Sequence, residues 1–234
     1  MDMTEKIKYW GIVPAAGVGK RMQADRPKQY LPLNNKTVIE QTLTRLLDVE
    51  QLNAVVVAIS KEDPYWPNLE ISKNPRVLTA AGGKERADSV LSALNSIASK
   101  AVDNDWVLVH DAARPCITKS DVELLINELQ EHPVGGILAL ASHDTLKSVN
   151  DDLAITDTVD RSKIWRALTP QMFRYSALKN ALQEAADKNW IMTDDASAME
   201  LQGKHPKIIA GRSDNLKITR PEDLALAQFY LEQQ

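Results

Sequence analysis

The sequence predicts an α/β fold, a mostly parallel twisted sheet with helices on both faces. Three observations predict it. Short apolar runs alternate with amphipathic helical patterns from the first run onward. Two of those runs, Ala54 to Ile59 and Trp106 to Val109, are continuous rather than alternating, as strands buried on both sides require. Glycine-rich or charged loops follow three of the strands, at Pro14, Gly82 and Asp111. In a parallel sheet such loops share the carboxyl-terminal rim, where ligands bind.

Taken in order, Tyr9 to Val13 is the first strand, and Val38 to Leu47 a helix with Ile39, Leu43, Leu46 and Leu47 on one face. The strand at Ala54 to Ile59 is followed by a Pro- and Trp-bearing loop, Lys61 to Asn68. Arg76 to Thr79 is a short strand, ended by Gly82-Gly83. A helix over Arg86 to Ser99 aligns Val90, Leu91, Leu94, Ile97 and Ala98. After Trp106 to Val109, a helix starts with Ser120 as N-cap and Glu123 completing a capping box; Val122, Leu125, Ile126 and Leu129 are its inner face. Gly135 to Ala141 is a strand.

The rhythm breaks at about 142–166. Thr145 to Val149 and Ala154 to Val159 flank an Asn150-Asp151-Asp152 turn, a hairpin that leaves the main sheet. Such an arm needs another surface to bury itself, and a dimer contact is expected. The α/β pattern then resumes with a strand at Ala167 to Phe173 and helices at Ser176 to Lys188 and Asp195 to Gln202. Strands at Lys207 to Ala210 and Asn215 to Ile218 precede a terminal helix opened by Pro221. No internal repeat is present, and one domain over 1–234 is expected.

Composition narrows the function classes. The 234 residues are 44% hydrophobic and 26% charged, with net charge −4, so no global basic field draws nucleic acid or an anionic membrane. The longest apolar runs are too short to span a bilayer, and MDMTEKIKYW lacks the apolar core of a signal peptide. The single cysteine, Cys116, cannot form an intrachain disulfide, which fits a reducing, cytoplasmic setting.

Against that acidic background the stretch Trp10 to Pro32, WGIVPAAGVGKRMQADRPKQYLP, stands out. A strand ends at Pro14, Gly17 and Gly19 follow, and Lys20, Arg21 and Lys28 supply positive charge. Glycine lets backbone N–H groups approach a phosphate, and the cations add charge-assisted donors. The P-loop and G-x-G-x-x-G patterns both fail here. An ordinary strand-to-helix turn with solvated charges is the alternative. Gly82-Gly83-Lys84-Glu85-Arg86-Ala87-Asp88-Ser89 offers paired glycines and a hydroxyl, or simply a capped helix start. In Val109-His110-Asp111-Ala112-Ala113-Arg114-Pro115 a strand delivers Asp111 as a hard ligand for Mg²⁺, or as one half of an ion pair with Arg114. His110 reads as structural. Gly211 to Lys217 adds Asp214 and another cation. Together these suit nucleotidyl transfer, in which the protein aligns phosphates and neutralises developing charge.

The motifs PAAGVGKRM…PKQYLPL, GGKERADSV, VLVHDAARP, DTLK, TVDR, TDDASAME and GRSDNLKITRPEDL, in this order from about Tyr9 to Tyr230, resemble the 2-C-methyl-D-erythritol 4-phosphate cytidylyltransferases of non-mevalonate isoprenoid synthesis. The resemblance implies a Rossmann-like nucleotidyltransferase fold and a homodimer with an interlocking arm. It implies CTP along the Pro14 to Lys28 loop, with Pro14, Ala15, Ala16, Gly17 and Gly19 as contacts, and Arg21 and Lys28 stabilising the pentacoordinate α-phosphate. Gly82, Gly83 and Ser89 correspond to the cytidine pocket, Asp111 to the Mg²⁺ ligand and Lys217 to a further phosphate contact. The polyol phosphate would meet Arg114, Thr169, Thr193, Asp214 and Lys217, with Thr145 and Arg161 from the other subunit's arm. A chain ending at Gln234 is expected to lack the cyclodiphosphate synthase fused in some relatives. Competing readings are a cytidylyltransferase for another polyol phosphate such as ribitol 5-phosphate, a sugar nucleotidyltransferase using UTP or GTP, and a nucleotide-binding regulator without turnover. The last would not need Arg21, Lys28 and Asp111 together.

Overall fold

The computed structural model describes residues 6–17, 22 and 25–234. In chain order the elements are β1 (Tyr9–Pro14), β2 (Pro32–Leu33), β3 (Lys36–Thr37), α1 (Val38–Leu47), β4 (Leu52–Ile59), β5 (Val77–Ala81), α2 (Arg86–Ser96) and β6 (Trp106–Val109). Then come α3 (Lys119–Leu129), β7 (Gly135–Ala141), β8 (Leu146–Val149), β9 (Ile155–Val159), β10 (Trp165–Arg174), α4 (Tyr175–Asp187), α5 (Asp195–Leu201), β11 (Lys207–Ala210) and α6 (Pro221–Gln233).

Seven strands form one sheet in the order β11-β7-β10-β6-β1-β4-β5. All pairings among β1, β4, β5 and β6 are parallel, and β11 is parallel to β7; β10 alone runs antiparallel to both neighbours. The expected mostly parallel sheet is therefore present. Two-residue periodicity divides its side chains between two layers. Val55 and Val57 of β4 pack with Ile39, Leu43 and Leu46 of α1 and with Val122 and Leu125 of α3. Val56 and Ala58 face the other way, onto Val90 and Leu94 of α2 and Leu178 and Leu182 of α4. All four β4 residues are fully buried. Burying each valine side chain contributes about 1.5–3 kcal/mol, which is why this run cannot sit at an edge or a surface.

Local chemistry sets the helix starts. Thr37 and Glu40 form a reciprocal capping box at α1. At α3 the cap is Thr118, with Asp121 closing the box, rather than Ser120 with Glu123. The loop reaches extended geometry at Thr118, so its hydroxyl meets the Asp121 amide first. The second helix stops at Ser96 rather than Ser99. Asn215 to Ile218 is not a strand. Its carbonyls are taken instead by side chains, Asn215 O by Arg114 Nη1 at 2.7 Å and Ile218 O by Lys28 Nζ at 2.7 Å. The terminal helix closes a third apolar cluster, where Ala227 packs with Leu33, Cys116 and Ile218.

The hairpin left outside the sheet is real. β8 and β9 pair with each other alone, in a separate two-stranded sheet. Its apolar side chains face outward: Val149 is 48%, Leu153 80% and Ile155 65% exposed. Among the described residues no helix is long and apolar enough to cross a membrane.

Candidate active site

The three loops after β1, β5 and β6 converge on one rim, as parallel strands require. Ala15 N donates to Ala58 O at 2.7 Å and Gly82 N to Ile59 O at 2.6 Å, so the two loops run on from the ladder they leave. Gln29 clamps the first loop by donating Nε2 to Ala15 O (2.7 Å) and Gly17 O (3.1 Å). Gly82 packs so closely that a Cβ there would overlap Ala16 Cβ and sit 3.0 Å from Ile59 O. A Cβ on Gly83 would overlap Asp88 and lie 2.9 Å from that residue's backbone carbon. Both positions require glycine for space, not for a special φ. Ser89 Oγ accepts the Gly83 N–H at 3.0 Å and donates to Glu85 O at 3.2 Å, which holds the second loop against α2.

Between these loops lies a cleft of about 340 Å³, within the size range of small-molecule sites. Pro14, Ala15, Ala16, Gly17, Lys28, Gly83 and Ser89 line it together with Asp111 and Lys217. A second cleft, of about 230 Å³, is lined by Arg114, Thr169, Gln171, Thr193 and Asp194. Arg86, Asp111 and Lys217 line both. They form the wall at which the two clefts meet.

That wall is an ion cluster centred on Asp111. Arg86 Nε lies 3.2 Å from Oδ1, while Arg114 Nε at 3.3 Å and Lys217 Nζ at 2.9 Å share Oδ2. Burial alone would raise the Asp111 pKa, but Arg86, Lys217 and Arg114 together hold it well below the usual carboxylate range. Behind Arg86, Nη1 lies 2.8 Å from Oδ2 of the buried Asp195 at the start of α5. Burial pushes the Asp195 carboxyl up, and Arg86 opposes that shift. Three cations against the two carboxylates of Asp111 and Asp195 leave positive charge in surplus, which suits phosphate oxygens. Lys28 also lines the first cleft, its Nζ held by Ile218 O beside Lys217.

Thr169 enters the second cleft from an interruption in the β10–β7 pairing between Ala167 and Gln171, where the ladder is released and a side chain can be re-aimed. Its hydroxyl lies 3.0 Å from His110 Nδ1 and accepts the Asp111 N–H at 3.1 Å. His110 is fully buried, and burial pushes its pKa down to about 4. Gln171 ties the cleft to α5, donating to Asp194 Oδ2 at 2.8 Å and accepting the Ala196 N–H at 3.0 Å.

The expected residues are mostly gathered here. Pro14, Ala15, Ala16, Gly17, Lys28, Gly83, Ser89 and Lys217 line the first cleft, and Arg114, Thr169 and Thr193 the second. Gly82 supports the first loop from behind rather than lining the cleft. Gly19 and Arg21 lie outside the described residues. Asp214 lines neither cleft. Arg212 takes both of its oxygens, at 2.9 and 2.7 Å, and the pair lines a separate surface recess with Arg45 and Thr118. Its neighbour Asn215 reaches inward instead, donating Nδ2 to Thr169 O at 2.8 Å. Thr145 and Arg161 stay with the arm, where Arg161 Nη1 donates to His143 O, and neither lines either cleft. Sequence reasoning passed over Arg86, Gln171, Asp195 and Asn215. Arg86 stood inside the GGKERADS motif, but its reach to Asp111 and Asp195 depends on how α2 and α5 pack.

The sheet order and the paired clefts define an α/β nucleotidyltransferase class. The profile of the 2-C-methyl-D-erythritol 4-phosphate cytidylyltransferase family matches residues 10–233, and the chain belongs to that family. It is 56% identical over 222 residues to the 2-C-methyl-D-erythritol 4-phosphate cytidylyltransferase of Vibrio atlanticus, covering 95% of this chain and 94% of the relative. With the Pseudomonas putida enzyme of that name it shares 54% identity, over 92% of each chain. Among solved structures, that of Francisella tularensis superposes with a TM-score of 0.83 at 35% identity, over 95% of this chain and 99% of the other. The Thermus thermophilus structure gives 0.78 at 28% identity, over 97% and 100%.

Proposed function

We propose that this protein transfers CMP from CTP to 2-C-methyl-D-erythritol 4-phosphate, forming 4-diphosphocytidyl-2-C-methyl-D-erythritol and pyrophosphate. The observation that carries the reading is the shared wall. Two clefts meet at Arg86, Asp111 and Lys217, an arrangement that would bring the phosphates of two substrates to one cationic seam. CTP occupies the cleft of the glycine loops, and the polyol phosphate the cleft of Arg114, Thr169 and Thr193. An oxygen of the polyol phosphate attacks the α-phosphorus, the bond from the α-phosphorus to the bridging oxygen breaks, and pyrophosphate leaves. The chain supplies alignment and charge. Lys28, and Arg21 outside the described residues, neutralise the equatorial oxygens of the five-coordinate phosphorus, and Lys217 with Arg114 steadies the attacking phosphate.

A divalent cation fits the donor chemistry. Asp111 is a hard carboxylate held ionised at the seam, and Mg²⁺ with nucleotides takes one or two carboxylates plus phosphate oxygens. Among the described residues no three His, Cys, Asp or Glu side chains cluster, so Asp111 would be the protein's ligand and the phosphates would supply the rest. The ion, when bound, would draw charge from the phosphate oxygens.

The exposed apolar arm supports a homodimer in which Val149, Leu153 and Ile155 are covered, and Thr145 and Arg161 complete the polyol cleft of the other subunit. The buried Cys116 thiol suits the cytoplasm. Pyrophosphate release from CTP and Mg²⁺, with each acceptor in turn, tests the reaction. Turnover with ribitol 5-phosphate and none with methylerythritol phosphate would overturn the substrate. Light scattering at micromolar concentration tests the dimer, where a monomer sinks it. Arg161→Ala should raise KM or lower kcat for the polyol phosphate, and an unchanged profile would reduce Arg161 to an arm contact.

A further inference from the structure

His110 contacts neither cleft, yet it controls a group that does. Its Nε2 lies 3.1 Å from Arg114 O. A carbonyl oxygen only accepts, so the proton of the imidazole sits on Nε2. Nδ1 is then a bare acceptor, and the hydroxyl 3.0 Å away must donate to it. Thr169 Oγ1 has one proton and two lone pairs. The proton goes to His110, and one lone pair accepts the Asp111 N–H at 3.1 Å. One lone pair is left for the cleft that Thr169 lines. The threonine cannot rotate out of this arrangement without leaving a buried imidazole nitrogen unpaired, which is costly in a dry interior. Its backbone is pinned as well, through Asn215 Nδ2 on Thr169 O.

We infer that His110 is a positioning residue that fixes the Thr169 hydroxyl as a hydrogen-bond acceptor toward the polyol phosphate, so that this wall of the cleft selects a substrate hydroxyl and disfavours an anionic oxygen. The inference rests on the assignment of the second cleft to the polyol phosphate. It adds a polarity rule: cations at the seam take the phosphate, and Thr169 takes a carbon-bound hydroxyl of the same molecule. An acceptor with a carboxylate or second phosphate at that point meets a lone pair instead of a donor.

The test is steady-state kinetics of the full-length protein with CTP, Mg²⁺ and methylerythritol phosphate, for wild type, His110→Leu, His110→Asn, Thr169→Val and Thr169→Ser. Asparagine can place a carbonyl oxygen near the position of Nδ1, whereas leucine cannot. His110→Leu and Thr169→Val are expected to raise KM for the polyol phosphate about tenfold, the loss of one net hydrogen bond. KM for CTP should stay within about twofold. His110→Asn and Thr169→Ser should recover most of that loss. With mono-deoxy analogues of the acceptor, one analogue should be penalised in wild type and not in Thr169→Val. If His110→Leu does not fold, the Thr169 pair and the deoxy analogues decide alone. The inference is overturned if both KM values rise together, if asparagine does no better than leucine in folded protein, or if no deoxy analogue loses its penalty in Thr169→Val. A wild type inactive with methylerythritol phosphate but active with another acceptor would overturn the substrate reading instead, and the same variants with that acceptor would still decide the polarity rule.

Discussion

Acidification should weaken this protein through His110, and the size of the effect follows from burial. The imidazole is fully buried, and burial pushes its pKa from 6.5 to about 4. In the unfolded chain the ring takes up a proton near pH 6.5, while the native ring stays neutral until about pH 4. Between those values the unfolded state binds more protons, so acid favours unfolding. The stability contribution is complete above pH 6.5 and is lost as pH falls toward 4. Integrated over that window, the loss is about 3 kcal/mol, a large part of the usual 5–15 kcal/mol. Asp111 does not interfere, because its carboxyl is held well below the usual range and its own contribution is lost only at still lower pH. The assay is urea unfolding of wild type and His110→Asn at fixed protein concentration from pH 8 to pH 4, since subunit association would otherwise shift the midpoints. The stability difference between them should be flat from pH 8 to 7 and move by about 3 kcal/mol in favour of the variant by pH 4. A difference that does not change with pH would refute the claim that a neutral buried imidazole is being forced to charge.

Three further outcomes follow from the site. Lys28→Ala should lower kcat by a factor on the order of 10²–10³, as for the loss of one transition-state donor, while CTP still binds in calorimetry; near-normal kcat would remove Lys28 from that role. Gly83→Ala must displace the start of α2, since the new Cβ would overlap Asp88; KM for CTP should rise about tenfold or more, and unchanged nucleotide kinetics would show that the loop does not touch CTP. Asp195→Ala deprives Arg86 of one of its two buried partners, leaving Asp111. Because the Arg86 side chain is 29% exposed, the expected cost is about 2 kcal/mol, below the 3–5 kcal/mol of a fully buried pair. Asp195→Asn should cost less, and equal losses in both variants would mean that packing, not charge, is at stake.

Much of the fold is legible in the sequence alone. The continuous Val55-Val56-Val57 run announced a strand covered on both faces, and the structure buries all three. Ile39, Leu43 and Leu46 announced the face that α1 lays on the sheet. The strand expected at Asn215 to Ile218 is absent because a segment that alternates polar and apolar residues reads alike whether its carbonyls meet a ladder or the side chains of Arg114 and Lys28. Asp214 lies outside both clefts for a related reason. A charged residue beside a motif does not announce which cation will claim it, and Arg212, two residues away, claimed it first.

Local chemistry therefore determined the elements, the phosphate-suited loops and the family, since periodicity, capping and glycine spacing act over a few residues. Tertiary structure alone decided the seam. Arg86, Asp111, Asp195 and Lys217 are far apart in the chain, and only the packing of α2 and α5 and the turn before α6 bring them within about 3 Å of one another's charged groups. Electrostatic pairing at that range depends on separation in space, and sequence spacing carries no record of it.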